Sequence, residues 1–386
     1  MKLSRAKRRE RQHMNVLLGV MTIALPSKDD PLSLTDSYVP SATWRYFHLA
    51  GLRHGVKVIF FYPEDVDFEK ERVHAWSCTS RDAKSGWKRR DYRFPDVVYE
   101  NVALQSLRRT GALDVKRRFA NLGIPTFNPA LFQKSTMSSI LKRNPEIADH
   151  LPKTVTVHRV EDILALLSKT KCVYLKPVRG SGGKGVIELS VNRRVVRVRA
   201  QRFFNNQPVD RTFPLEKLVE FLNRLICSER YIAQEGLKLL TREGRKIDFR
   251  FQLNRDETGE WQLVAIRPKL GPIGSVVSNL HSGGIEGDFD EIVDWAANEG
   301  YSFPDEDDLI HLAIETAKEF TRYRPNLSHI GIDIAVDVNG RFFVLDVNPR
   351  PGRNILTRPM IAASVDCITG FAKYLYKKSR KKSRPH

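Results

Sequence analysis

The sequence predicts a mixed α/β (α+β) fold in two parts, a small N-terminal α/β domain followed by a larger region of longer alternating elements. Three observations predict it. Residues 15–62 read as strand, helix, strand, and Lys57–Tyr62 is a continuous apolar run of the length that suits a parallel strand covered on both faces. From Ile140 onward the spacing lengthens, with Val186–Val191 and Val195–Arg199 reading as an antiparallel pair. Near the end, Gly331–Val338 and Phe342–Val347 flank Asn339-Gly340, a strong short-range hairpin signal.

In chain order, residues 1–13 form a basic tail and Asn15–Ala24 a strand, and Pro26–Pro40 is a polar loop. Residues 42–54 carry helical periodicity. Residues 72–93 read as a polar hairpin with Gly86 as the turn, Asp96–Tyr99 as a short strand, and 103–121 as a helical stretch. The first domain is expected to span 14–110. Beyond it come a strand near 154–157, a helix near 160–168, a strand at Val173–Lys176, and a helix at Leu215–Ile226. Tyr231–Gln234, Ile247–Leu253 and Gln262–Ile266 read as strands and Asp307–Phe320 as a helix, with a second basic tail at 377–386. No internal repeat appears.

Composition narrows the class. An apolar fraction of 41% over 386 residues supports packed cores, so disorder is not the default reading. Cys78, Cys172, Cys227 and Cys367 lie far apart without a CxxC pair, which argues against a zinc ribbon, a redox motif or a disulfide framework. No apolar run reaches membrane-spanning length, and the stretch after the basic start reads as a strand and not as a signal peptide, so a cytoplasmic location is expected. Of the formal charge of +19, eleven charges sit in the two tails. Such tails suit a polyanionic surface, or they are simply solvated; no nucleic-acid-binding signature accompanies them.

Two constellations carry chemistry. Tyr174–Val186, YLKPVRGSGGKGV, is a strand ending at Lys176 that runs into a loop with four glycines in six residues. Glycines let successive N–H groups close on one anion, and Lys176 and Lys184 add full charges, so the segment reads as a phosphate cradle. It is not a P-loop, because a strand follows it and not a helix. A flexible hairpin turn is the plain alternative. The second constellation is GIDIA, then LDVNPRPG. Asp346 and Asn348 are two apart on one strand and share a face, and Asp333 on the paired strand can meet them. That hard-oxygen set, incomplete in itself, suits magnesium completed by phosphates and water. An acidic pair on a hairpin is often a solvated face, but these carboxylates interrupt apolar runs where uncompensated charge would be costly.

Between the two lie Tyr231–Leu237 and Asp248–Gln252. The first could hold an adenine, with Gln234 reading its edge and Glu235 or a nearby acid accepting ribose hydroxyls. Arg250 and Arg267 fall in strand patterns and can offer planar forks to phosphate or carboxylate, although a surface role is open to any arginine in so basic a chain.

These residues resemble the ATP-grasp superfamily and, within it, the YheC/YheD group of endospore coat-associated proteins. The resemblance rests on FPDVVYENV, FNPALFQKSTMSSIL, YLKPVRGSGGKGV, DFRFQLNRDETGEW, GSVVSNLHSGG and GIDIAVDVNGRFFVLDVNPRPG, and covers about residues 15–376. It implies a two-lobed ATP-grasp domain over 111–376, with a first lobe at about 150–236 bearing the glycine-rich lid and a second at 237–376 bearing the metal hairpin.

It further implies that Lys134 and Lys176 contact ATP phosphates, that Ser181, Gly182, Gly183, Lys184 and Gly185 form the lid, and that Gln234, Glu235 and Leu237 border the adenosine. Asp333, Asp346 and Asn348 would hold Mg2+, while Arg267, Asn279 and Arg250 would face the transferred phosphate or the acyl substrate. Many ATP-grasp ligases carry glutamate where Asp346 stands; the shorter arm leaves the number of ions open. The implied activity is ATP-dependent ligation of a small-molecule or peptide carboxylate to an amine through an acylphosphate, connected with the spore coat or cell envelope. A non-catalytic ATP-binding protein of the spore coat is the alternative.

Overall fold

The computed structural model describes residues 16–23, 42–102, 106–128, 134–178, 184–201, 203, 207–276 and 283–382. The expected tail at 1–13, the loop at 26–40, Ser181–Gly183, Asn279 and residues 383–386 lie outside them. Lys134 lies within them by its backbone only.

Three sheets follow one another along the chain. The first holds β1 (Val16–Thr22), α1 (Ala42–His54), β2 (Val56–Phe61), β3 (Val66–Asp67), β4 (Arg72–Cys78), β5 (Trp87–Arg93), β6 (Val97–Asn101), α2 (Ala112–Asn121) and β7 (Thr126–Phe127). Its order is β3-β4-β2-β1-β6-β7, with β5 paired to β4. The strands β2, β1, β6 and β7 run parallel, so the apolar runs of β1 and β2 are buried on both faces. Within the described part of the helical stretch expected at 103–121, the α-helix begins at Ala112, because Gly111 sits at φ 72°, in the left-handed region, and starts the helix there.

The second sheet is antiparallel. It follows α3 (Lys134–Leu141) and α4 (Pro145–Ala148) and contains β8 (Thr154–Thr156), β9 (Cys172–Pro177), β10 (Ile187–Asn192), β11 (Val195–Ala200), β12 (Val209–Pro214) and β13 (Tyr231–Glu235), in the order β12-β11-β10-β9-β13-β8. Its helices, α5 (Val160–Thr170) and α6 (Leu215–Ser228), pack on one face through Ile163, Leu167, Leu218 and Leu222. Asp162 fixes the start of α5 by accepting from the backbone N–H of His158 and Arg159, at 2.9 and 3.0 Å. On β9 the core takes Val173 and Leu175, which leaves Cys172, Tyr174 and Lys176 to the opposite face.

The third sheet, in the order β17-β16-β15-β18-β19 with β14 beside β15, is also antiparallel: β14 (Thr241–Arg242), β15 (Arg245–Arg255), β16 (Trp261–Leu270), β17 (Ile285–Glu286), β18 (His329–Val336) and β19 (Phe342–Asn348). The helices α7 (Phe289–Asn298) and α8 (Glu306–Tyr323) cover one face, burying Phe249, Phe251, Leu253, Ile330, Ile332 and Ile334. The turn from β18 to β19 is built by Asp337, which accepts from the N–H of Asn339 and Arg341 and from the Arg341 guanidinium, while Gly340 takes φ 77°.

The last helix, α9 (Arg358–Lys382), corrects the sequence reading of the chain end: residues 377–382, expected as tail, are helical. It also returns to the first sheet. Val365, Ile368, Phe371 and Leu375 join Trp44, Phe47 and Phe60 in one core, so the face that α1 begins to cover is completed by the end of the chain. Among the described residues, no helix is long and apolar enough to cross a membrane.

Candidate active site

The second and third sheets face each other across a cavity that contains both Lys176, at the end of β9, and Asp346, on β19. Its walls divide by chemistry. Met137, Leu141, Leu151, Ile232, Val344 and Leu345 make an apolar part, while Ser138, Thr154, Lys176, Gln234 and Asp346 supply polar groups. Lys176 Nζ donates to Gln234 Oε1 at 2.5 Å, and Gln234 Nε2 donates to Thr154 Oγ1 at 3.1 Å. Glu235 sits at the next position; Oε1 accepts from the Lys153 N–H at 2.7 Å. Leu237 is half-buried just beyond β13. At the far end of the glycine loop, Lys184 is exposed and Gly185 takes φ 72°, where a Cβ would lie 2.8 Å from Pro177 Cγ.

The third sheet places its charged residues in one register row. Arg267 on β16 lies opposite Arg250 on β15, Arg250 opposite Asp333 on β18, and Asp333 opposite Asp346 on β19. The alternation of β15, with Phe249 and Phe251 in the core, sends Asp248, Arg250, Gln252 and Asn254 to the other face. Arg250 grips Asp333 with Nε at 2.5 Å and NH2 at 3.2 Å, and Lys269 Nζ stands 3.0 Å from Asp333 and 2.9 Å from Asp248. Burial opposes the charge on Asp333, but these two cations hold its carboxyl far below the usual carboxylate range. Arg267 is engaged by Glu286 at 2.8 Å and by the Ile355 carbonyl at 3.0 Å. Asp346 Oδ1 accepts from the N–H of Val347, and Asn348 Oδ1 from that of Arg350, at 3.0 and 2.9 Å.

Sequence reasoning missed three features. Lys269 was one, although it lies in a strand pattern two residues after Arg267. Arg350, directly after the hairpin, was another: its guanidinium reaches the buried Glu100, which also takes Lys116 at 2.6 Å, and the backbone carbonyls of Val102 and Asn128. It therefore ties the hairpin to the first sheet. The third is a buried cluster at Glu188 on β10, which accepts from Tyr174, Arg199 and Lys246, the ammonium at 2.9 Å. Burial disfavours the Glu188 charge, but Lys246 beside it, with Tyr174 and Arg199, keeps the carboxyl below its ordinary value. Lys246 belongs to β15 and Arg199 NH1 also reaches the Gly274 carbonyl at 3.3 Å, so the cluster links the second sheet to the third. Nearby, burial pushes the Cys172 thiol up to about 11. Among the described residues, no three His, Cys, Asp or Glu side chains converge as a metal site; the oxygen set at the hairpin includes the Asn348 amide.

Residues 123–375, about two-thirds of the chain, match the family described as YheC/D like ATP-grasp. The chain belongs to that family. Among curated relatives of this YheC/D-like ATP-grasp protein, endospore coat-associated protein YheD of Bacillus subtilis (strain 168) is 27% identical over 319 residues, 77% of this chain and 66% of YheD. The chain thus matches just under two-thirds of YheD's length. Endospore coat-associated protein YheC of the same organism is 26% identical over 320 residues, covering 79% of this chain and 83% of YheC. Among solved structures, the D-alanine–D-alanine ligase from Coxiella burnetii is similar at 12% identity, 95% and 97% coverage and a TM-score of 0.49.

Proposed function

We propose that this YheC/D-like protein binds ATP with magnesium in the cavity between the second and third sheets and is an ATP-dependent ligase, activating a carboxylate as an acylphosphate for attack by an amine. The observation that carries the reading is that Lys176 and Asp346, 170 positions apart in the sequence and on different sheets, line one cavity with an apolar part beside a charged part. That division matches a nucleotide, whose base needs apolar contact and whose phosphates need cations.

In this reading Gln234, Glu235 and Leu237 border the adenosine, Lys134 and Lys176 contact phosphates, and Ser181–Gly185 close over them. The donor chemistry at the hairpin fits magnesium: Asp346 and Asn348 offer hard oxygens, and Asp333 can join them if its cations yield. Magnesium would supply charge neutralisation at the phosphate oxygens. Arg250, Arg267 and Asn279 orient the phosphate and the attacking carboxylate; the carboxylate oxygen bonds to the γ-phosphorus as the bond to the ADP oxygen breaks. The amine then displaces inorganic phosphate. No nucleophilic side chain is required, because positioning and electrostatics account for the rate. Exclusion of water by the lid keeps the acylphosphate from hydrolysis.

The names of the relatives favour a second reading, a spore-coat protein that holds ATP without turnover. Release of ADP and phosphate by the purified chain over a panel of amino acids and peptides separates the two, with acceptor-dependent turnover expected. Nucleotide affinity that survives joint replacement of Lys176, Asp346 and Asn348 by alanine rules out both. A cytoplasmic site of action, possession of amine and carboxylate substrates, and a polyanionic partner for the basic segments belong to the same proposal.

A further inference from the structure

The two basic segments lie at opposite ends of the chain, but the fold brings their points of attachment together. β1 starts at Val16, which pairs in register with Val56, the first residue of β2, and α1 runs back to this edge, ending at His54. The last helix arrives at the same edge. Lys373 Nζ donates to the His54 carbonyl at 2.8 Å, and Leu375 shares one core with Val16 and Val56. Past Leu375, Tyr376 comes within electrostatic reach of Arg93, whose guanidinium pairs with Asp96 at 2.8 Å; Asp96 in turn accepts from the Leu17 N–H at 2.7 Å. Arg11 is five residues before Val16, so the chain holds it within about 18 Å of that residue. Six cations and one acid in residues 1–11 are thereby tethered beside the last turns of α9.

Those turns carry a charged stripe. Lys377, Lys378, Arg380 and Lys381 are exposed and fall on one side of the helix, at positions i, i+1, i+3 and i+4, while Tyr376 and Ser379 are half-buried. Arg380 donates to the Tyr376 hydroxyl at 3.0 Å, and no ion pair among the described residues holds any of the four. The helix has no acidic residue after Asp366, and a helix C-terminus presents only about half a negative charge, so the stripe is unbalanced within the chain.

Resting on the reading that the basic segments have a polyanionic partner, we propose that the amino-terminal segment and the end of α9 form one composite site for the phosphate backbone of a nucleic-acid duplex, bound without base readout. Charge density selects this partner. A duplex carries one phosphate per about 1.7 Å of its axis, and the five cations among the six residues Lys377–Lys382 follow one another along a helix that rises about 1.5 Å per residue. Arginine forks and lysine ammonium groups both suit phosphodiester oxygens. A lipid surface fits less well, because helices that lie on membranes add inserted apolar side chains to their cations, and 377–382 has none. No motif that reads base edges accompanies the site, so affinity should not depend on base sequence. The site is also remote from the cavity. β1 and β6 run in parallel from this edge to the opposite one, where the Val102 carbonyl meets Arg350, directly after the metal hairpin. The seven residues of β1 put about 23 Å between the two edges, so duplex and nucleotide do not compete.

The test is fluorescence anisotropy of a labelled DNA duplex of about 20 base pairs, titrated with the full chain between about 50 and 200 mM salt. Two variants carry the comparison with wild type: one lacking residues 2–11, and Lys377→Gln/Lys378→Gln/Arg380→Gln/Lys381→Gln, in which glutamine keeps the helix. If one duplex engages both segments, the wild-type association constant exceeds the sum of the two variant constants by about tenfold or more, through effective concentration, and the slope of log affinity against log salt is close to the sum of the variant slopes. Segments acting as separate sites give a wild-type constant no greater than that sum and a slope no steeper than the steeper variant's; that result overturns the inference and leaves a polyanionic partner standing. Changing four exposed cations elsewhere, Lys169, Lys171, Arg193 and Arg194, to glutamine should leave affinity near the wild-type value. A loss equal to that of the α9 variant would mean that net charge alone is at work, which overturns the composite site. A non-hydrolysable ATP analogue with magnesium should not change duplex affinity; competition would place the duplex in the cavity, against the inference. Tighter binding to vesicles of phosphatidylglycerol and phosphatidylcholine than to the duplex overturns the choice of partner. Wild-type protein that binds neither overturns the polyanion reading and this inference together.

Discussion

Two buried ionic clusters flank the cavity, and they are built on different plans. The Asp333 cluster lies within one sheet and is balanced, with Asp248 and Asp333 against Arg250 and Lys269. The Glu188 cluster spans two sheets and sets one carboxylate against Arg199 and Lys246, with Tyr174 as a further donor. A balanced set within one sheet can exchange partners without moving backbone. An acid-poor set between sheets cannot lose its carboxylate without leaving two cations facing each other. The difference teaches that buried charge is used in two ways here: within the third sheet beside Asp346, and between the second and third sheets as a link.

The largest effect should come from breaking the second plan. Glu188→Ala is expected to cost about 3 kcal/mol, as for removal of one partner of a buried ion pair, measured by denaturant unfolding. A loss below about 1 kcal/mol, the size of a surface pair, would mean the two sheets do not depend on this link. Next comes Gly331→Ala, which crowds Arg250 and Pro351 at 2.9 Å. It should cost about 2 kcal/mol through overpacking and displace Arg250, so that nucleotide affinity falls with stability. Stability lost with affinity intact would separate the guanidinium from the nucleotide.

The smallest effect sharpens the contrast between groups held charged and groups held neutral. His329 is buried beside Tyr99, and burial, with Arg353 and Arg350 nearby, lowers its pKa well below 6.5. A lowered folded value means the unfolded chain takes the proton first, so stability is present above 6.5 and is lost as pH falls below it. Between pH 7 and pH 5.5 the loss should reach about 1 kcal/mol. His329→Gln should flatten that part of the stability–pH curve; a curve of unchanged slope would remove His329 as the cause. Asp333 and Glu188, whose values are depressed, act only at lower pH, as pH falls through their folded values.

Much of this was legible in the sequence where the pattern is local. The alternation in DFRFQLN told which residues leave the core, and Asn339-Gly340 fixed the hairpin that pairs Asp333 with Asp346. What was missed depends on partners far away in sequence. Nothing beside Arg350 announces Glu100, 250 residues earlier, and Glu188 reads as a plain strand residue until Lys246 is brought to it. The terminal helix is different, because its signal was present: Val365, Ile368, Phe371, Ala372 and Leu375 repeat at helical spacing. The basic run after Tyr376 drew attention to charge and away from that periodicity.

That helix also sets the order in which the molecule can be completed during synthesis. Domains commonly fold as they leave the ribosome, N-terminal first. Here the sheet made earliest waits for residues around 365–375 to cover its Trp44 and Phe47 side, while the second and third sheets can form in the meantime. Of the three sheets, the first thus waits longest for its cover, and a ribosome that stops short of Phe371 would release a chain whose first sheet lacks it.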